Sequence, residues 1–160
     1  MIHLEPITAA NWQTAIDLKV RAEQEHFVAP NVYSIAESQF LHHEGDGTLW
    51  KYTPLGIYND NDMVGFTMYC WEQTRGAQSF ISRVMLDANH QGKGFGKATM
   101  QVLLAHIQAS AGPNANEIVI SYVPANEIAR KLYAGFGFVE TGEVDGEGEV
   151  LAKRPLNLAV

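Results

Sequence analysis

The chain has 160 residues, enough for one domain with its own core and too few for two. Hydrophobic residues make up 46% of it and charged residues 18%, a balance that excludes a disordered chain. The 11 Lys and Arg against 18 Asp and Glu leave a net charge of −7, which repels a phosphate backbone, argues against nucleic acid as a partner and favours cationic ligands.

In chain order, Ile2 to Glu5 alternate like a short strand, and Thr8 to Asn11 supply cap residues for a helix carrying Trp12, Ala15, Ile16 and Leu18, expected to run to about Glu25. After Pro30-Asn31, Ser34 with Glu37 three residues on predicts a capping box and a second helix through Phe40 and Leu41. Leu55 to Tyr58 and Met63 to Tyr69 flank the polar turn Asn59 to Asp62 and predict a hairpin, and Ser79 to Leu86 add a third antiparallel strand. A glycine-rich turn over Gln91 to Gly96 then opens a helix with Phe95, Ala98, Val102, Leu103 and Ile107 on one face, ended near Gly112-Pro113. Glu117 to Tyr122 is a β-branched strand, Glu127 to Tyr133 a helix, and Phe138 to Val144 a strand turning at Asp145-Gly146. No linker or repeat interrupts this order, so residues 1–160 are expected to form one mixed α+β domain.

Cys70 is the only cysteine, which excludes an intrachain disulfide and a cysteine-rich zinc site and fits a reducing cytoplasm. Met1 to Pro6 lack a basic stretch followed by an apolar run, and no segment approaches the roughly 18 apolar residues of a membrane span. A soluble cytoplasmic protein is expected. His42, His43, Glu44 and Asp46 are close in sequence, but adjacent histidines at a helix end rarely converge on one ion, and no metal is expected.

The turn Gln91-Gly92-Lys93-Gly94-Phe95-Gly96-Lys97 lies between a strand and a helix, where unpaired N–H groups and the helix dipole favour an anion. It is not a dinucleotide fingerprint, because the third glycine position holds Lys97 counted from Gly92 and Thr99 counted from Gly94. It is not a Walker loop either, since Gly96-Lys97 is followed by Ala98. Gln91, Gly94 and Gly96 instead fit the Gln-x-x-Gly-x-Gly pyrophosphate loop of the GNAT superfamily of N-acetyltransferases. Downstream, Asn126, Ala129, Leu132, Tyr133, Gly137 and Phe138 resemble that superfamily's Asn-x-x-Ala-x-x-Leu-Tyr…Gly-Phe segment.

The resemblance implies a GNAT-type fold, with a twisted, mostly antiparallel sheet of about six to seven strands and about four helices. It implies acetyl-CoA as co-substrate. Val84, Met85 and Leu86 would present backbone groups to the acetyl and pantetheine arm, and Gln91, Gly92, Lys93, Gly94, Phe95, Gly96 and Lys97 would hold the pyrophosphate. Asn126, Ala129 and Lys131 would complete the coenzyme site, with Arg130 a further candidate. Tyr133 would be the general acid, a phenol with an ordinary pKa of about 10 that can reprotonate a departing thiolate. The strand before the loop offers Ser82 and Arg83 where some members carry a carboxylate, so a base reached through water, Glu25 or Glu72, is expected.

Residues Gln24 to Glu37, with the Phe27-Val28-Ala29 run, Asn31 and Ser34, and the run Thr141 to Val150 look like segments of bacterial diamine and spermine/spermidine acetyltransferases. That resemblance implies a small cationic amine as acceptor, with Glu25, Asn31, Glu37 and Glu72 to bind it and Trp50, Tyr69 or Trp71 to carry its methylenes. Other acceptors in the same fold are aminoglycosides, amino acids and protein amino termini, and a non-catalytic coenzyme A sensor would not need Tyr133. Exposed sheet edges in such domains often pair, which makes a homodimer an expected state.

Overall fold

The computed structural model describes residues 1–159. Its elements are β1 (Ile2–Pro6), α1 (Trp12–Asp17), α2 (Asn31–Glu37), β2 (Leu41–His43), β3 (Leu49–Asn59), β4 (Asp62–Glu72), β5 (Gln78–Leu86), α3 (Phe95–Ala109), β6 (Glu117–Tyr122), α4 (Glu127–Gly135), β7 (Val139–Val144) and β8 (Val150–Pro155). The strands form one sheet in the order β1-β3-β4-β5-β6-β8-β7, with β2 paired to the far end of β3. Every pairing is antiparallel except β5 with β6.

The period of two along β4 divides the core between the faces of the sheet. Tyr69 and Trp71 join Ile81, Ile118 and Ile120 under Met100, Leu103, Leu104 and Ile107 of α3. Phe66 and Met68 face the other way, with Met63 and Met85, and pack on Ala15 of α1 and Ile35 of α2. Helices thus cover both faces, and β5 lies at the middle of the sheet.

Three local expectations differ from the structure. The first helix stops at Asp17 instead of reaching Glu25, and Ala22–Phe27 form a separate 3-10 turn. Tertiary bonds override the periodicity: Lys19 N–H donates to Asp87 Oδ2 at 3.0 Å, and Lys19 C=O accepts from Ala88 N–H at 2.8 Å. The second helix starts at Asn31 behind Pro30, so Ser34 is not a cap but a buried interior residue, and the helix ends before Phe40. Leu41, read as helical, is the first residue of β2. The final strand β8, for which no strand is expected from the sequence, lies between β6 and β7. Among the described residues no helix is long and apolar enough to cross a membrane.

Burial leaves a mark on the pH dependence of stability. It pushes the Cys70 thiol up from 9.0 to about 12, and burial followed by the Glu140 hydrogen bond pushes Tyr122 up from 10.0 to about 12. Both are acids with folded pKa values above the unfolded ones. Above about pH 9 the unfolded chain therefore releases protons that the folded state keeps, and stability falls as pH rises. Thermal melts should show a constant Tm from neutral pH to about 8.5 and a decline above 9, with Cys70→Ala delaying the onset by roughly one pH unit. An unchanged onset in Cys70→Ala would remove the thiol from this account.

Candidate active site

The parallel pairing of β5 with β6 runs only from Gln78–Glu117 to Ile81–Ile120. Past that point the strands diverge, while β5 stays paired to β4 up to Leu86. The backbone N–H and C=O groups of Ser82 to Leu86 that point toward β6 consequently have no ladder partner there, and an extended ligand can pair with them. A cleft of about 770 Å³ opens at this fork. Its walls are Ile81 to Leu86 of β5, Ile120 to Tyr122 of β6 and the face of α4 with Ala129, Leu132 and Tyr133, with the segment Val20 to Pro30 across the opening.

The glycine turn closes one end. Gly92 and Gly94 have φ values of +77° and +81°, which L side chains rarely adopt. Gly96 lies in the first turn of α3, whose 15 residues aim their N-terminal N–H groups toward the cleft. A Cβ at Gly96 would stand 3.7 Å from Leu132 and 3.9 Å from Leu86, both residues of the cleft wall. Lys97 lines the cleft and Lys93 is exposed outside its lining.

Several residues assigned to the coenzyme by resemblance do structural work. The Gln91 amide donates to Leu86 C=O at 3.0 Å and to Gln24 Oε1 at 2.8 Å, which ties the loop to the end of β5 and to the 3-10 turn. Phe95 packs its ring with Ile57, Val64 and Val102, so it can offer a ligand only its backbone. Asn126 lines the cleft, and its side-chain oxygen caps α4 by accepting the Ala129 N–H at 3.2 Å. Lys131 is exposed and outside the lining. Arg130 is engaged with Glu140 at 2.7 Å and Glu127 at 3.5 Å.

Tyr133 lies on the buried face of α4 with Ala129. Its ring packs against Tyr122 and Phe138, with centroids 5.6 and 6.1 Å away. Tyr122 donates its hydroxyl to Glu140 at 2.9 Å, as a buried tyrosine usually does. The Tyr133 hydroxyl has no protein partner among the described residues, although the residue is 7% exposed and lines the cleft. Burial, then the charges of Glu149 and Tyr122, hold its pKa well above the usual phenol range, so it stays protonated and able to donate.

Of the acids expected to bind an acceptor, only Glu25 borders the cleft, and it is exposed. Asn31 is 5% exposed and clamps α1, donating its amide to Ala15 C=O at 2.8 Å. Glu37 lies behind the cleft wall, 3.6 Å from the Arg83 guanidinium, which also donates to Ser34 Oγ at 3.2 Å. Glu37 therefore neutralises an arginine that lines the cleft. Glu72 lies in a separate surface hollow with Glu44, Asp46 and Trp50, and accepts the Arg75 N–H at 2.9 Å. Tyr69 is in the core against His106, and the Trp71 indole donates to Ser110, so none of the three aromatic rings expected under the methylenes reaches the cleft. The acids that do border it, besides Glu25, are Glu147 and Glu149. They fall in the Thr141 to Val150 run that resembles polyamine acetyltransferases, and the pairing of β8 with β6 brings them to the cleft. His42 rests on Tyr52 and on Glu37 C=O, and among the described residues no group of His, Cys, Asp and Glu could hold a metal.

Comparison with known proteins gives the same outline. The Acetyltransferase (GNAT) family pattern matches residues 12–138. A spermine/spermidine N(1)-acetyltransferase of Bacillus subtilis is 28% identical over 160 residues, covering 97% of this chain and 99% of that protein. Among solved structures, an aminoglycoside acetyltransferase in complex with coenzyme A superposes with a TM-score of 0.73 at 16% identity, covering 97% of this chain and 95% of the other. A Vibrio cholerae spermidine N-acetyltransferase in complex with CoA and spermine gives 0.70 at 14% identity, covering 98% and 96%. At those identities the two superpositions speak for the fold alone.

Proposed function

Because the chain belongs to the GNAT family of acetyltransferases, we propose that it transfers the acetyl group of acetyl-CoA to a primary amine of a polyamine, spermidine or spermine, with Tyr133 as the general acid. The observation that carries this reading is the Tyr133 hydroxyl, without a protein partner among the described residues, in a cleft bordered by Glu25, Glu147 and Glu149. The similarity to a spermine/spermidine acetyltransferase over nearly the whole of both chains supports the substrate class.

Acetyl-CoA is the co-substrate. The unpaired edge of β5 fits the amides of a pantetheine arm, and the start of α3 with Lys97 fits its diphosphate. Tyr133 supplies a proton to the sulfur as it leaves, from a phenol kept neutral by burial. The bordering carboxylates attract an acceptor that carries several ammonium groups. A cytoplasmic setting suits the single cysteine, which is buried and unpaired.

The test is kcat/KM for a panel of polyamines, aminoglycosides, amino acids and peptides. Spermidine or spermine should exceed amino acids and peptides by at least about tenfold, and the rate should fall with added salt as the carboxylates are screened. Aminoglycosides or peptides ahead by that margin would overturn the polyamine reading and leave the acetyltransferase.

A further inference from the structure

We propose that Glu149 is the general base of this reaction, its carboxylate accepting the proton of the acceptor's ammonium group before the nitrogen attacks. This rests on the reading of the chain as an amine acetyltransferase and adds the group that reading leaves open.

Asp145 fixes the turn that carries Glu149. Its Oδ1 accepts the N–H groups of Glu147 and Glu149, each at 2.9 Å, and its own N–H donates to Glu149 C=O at 2.9 Å. Gly148 takes the φ of +86° that closes the turn. Glu149 thus has its backbone pinned on both sides, unlike a residue of a loose acidic loop. The next residue, Val150, begins β8 opposite Tyr122, and this register sets Glu149 beside the end of β6. There Ser121 donates its hydroxyl to Glu149 Oε2 at 2.5 Å. Ser121 directly follows Ile120, the last residue of β6 paired with β5. The carboxylate is therefore tethered at the fork of the two strands, and Oε1 has no protein partner among the described residues in a side chain that lines the cleft.

Its surroundings suit a base. Tyr133 of α4 and Tyr122 of β6 line the same cleft, Asp145 and Glu147 share its turn, and Arg83, Glu25 and His26 border the cleft from β5 and from the opposite segment. Glu25 and Glu147 are exposed and accept no hydrogen bond from a side chain among the described residues, and Glu37 is committed to Arg83. Glu149 and Tyr133 line the same cleft, and the charge of Glu149 adds to burial in raising the Tyr133 pKa. When Glu149 takes the ammonium proton, that charge is lost, and Tyr133 becomes a better acid for the step that follows.

The balance is complete. One ammonium proton passes to Glu149 and later to solvent, the neutral nitrogen forms a bond to the acetyl carbonyl carbon, and the carbon–sulfur bond breaks with its electron pair on sulfur. Tyr133 protonates that thiolate and regains a proton from the nitrogen, which ends as an amide N–H.

The experiment compares the pH dependence of kcat/KM for wild type, Glu149→Gln and Ser121→Ala with the best amine of the panel, alongside calorimetric binding of acetyl-CoA. Glu149→Gln can keep the Ser121 hydrogen bond and should bind acetyl-CoA as wild type does. It should be slower by about 10²-fold or more at pH 7. The gap should close to less than about tenfold near pH 10, where the amine, with a pKa of about 10 like a lysine side chain, deprotonates without help. Ser121→Ala keeps the charge and loses its tether, so a loss of about three- to tenfold is expected. A deficit in Glu149→Gln that is constant across pH would mark a structural role, and an unchanged profile would assign the proton to another group such as His26; either overturns the proposal while amine acetylation stands. A wild-type protein inert toward every amine overturns the proposal together with the reading it rests on.

Discussion

Tyr133→Phe should lower kcat by roughly 10²-fold or more, the usual scale for losing a general acid, with little change in acetyl-CoA affinity. The Phe ring keeps the contacts with Tyr122 and Phe138. The lost hydroxyl has no protein partner among the described residues, so no buried group is orphaned and Tm should move by no more than a few degrees. Tyr122, 5.6 Å away between ring centroids, cannot substitute, because its hydroxyl is donated to Glu140. A variant that turns over its best amine at the wild-type rate would make Tyr133 a packing residue and leave the thiolate to take its proton from water.

Gly96→Val should abolish measurable acetyl-CoA binding while the domain stays folded. Gly96 has no positive φ, and an added Cβ would make ordinary van der Waals contact with Leu132 and Leu86, so the folded state accepts it. The same side chain would occupy the wall against which the diphosphate approaches the first N–H groups of α3. Gly94 is a poorer probe: its φ of +81° makes any replacement strain the turn and confuses binding with folding. Calorimetry showing wild-type affinity in Gly96→Val, at an unchanged Tm, would move the diphosphate elsewhere.

The glycine-turn end of the cleft is legible in the sequence and the end where β8 meets β6 only in part, for a physical reason. The glycine turn and the Asn126–Tyr133 helix are local: turn, cap and helix face follow from residues a few positions apart. The other end of the cleft is made by long-range pairing. Glu149 meets Ser121 only because β8 returns beside β6, and β8 itself is disguised by Lys153, Arg154 and Pro155 in a strand that still pairs at every residue from Val150 to Pro155. Asn31, Glu37 and Glu72, expected at the acceptor, have as partners Ala15 C=O, Arg83 and the Arg75 N–H. Each of those is fixed by tertiary contacts that spacing does not reveal. The first helix makes the same point, since the Lys19–Asp87 bond cuts short a periodicity that would continue in isolation.

Transfer of an acetyl group to a polyamine nitrogen in this cleft is measured by incubating the chain with spermidine and acetyl-CoA labelled in its acetyl carbon and following both products by mass spectrometry and thiol titration. The expected result is spermidine carrying one labelled acetyl group on a primary amine, formed in step with one equivalent of free coenzyme A. Release of the thiol with label only in acetate, or no release above the rate without enzyme, would contradict it.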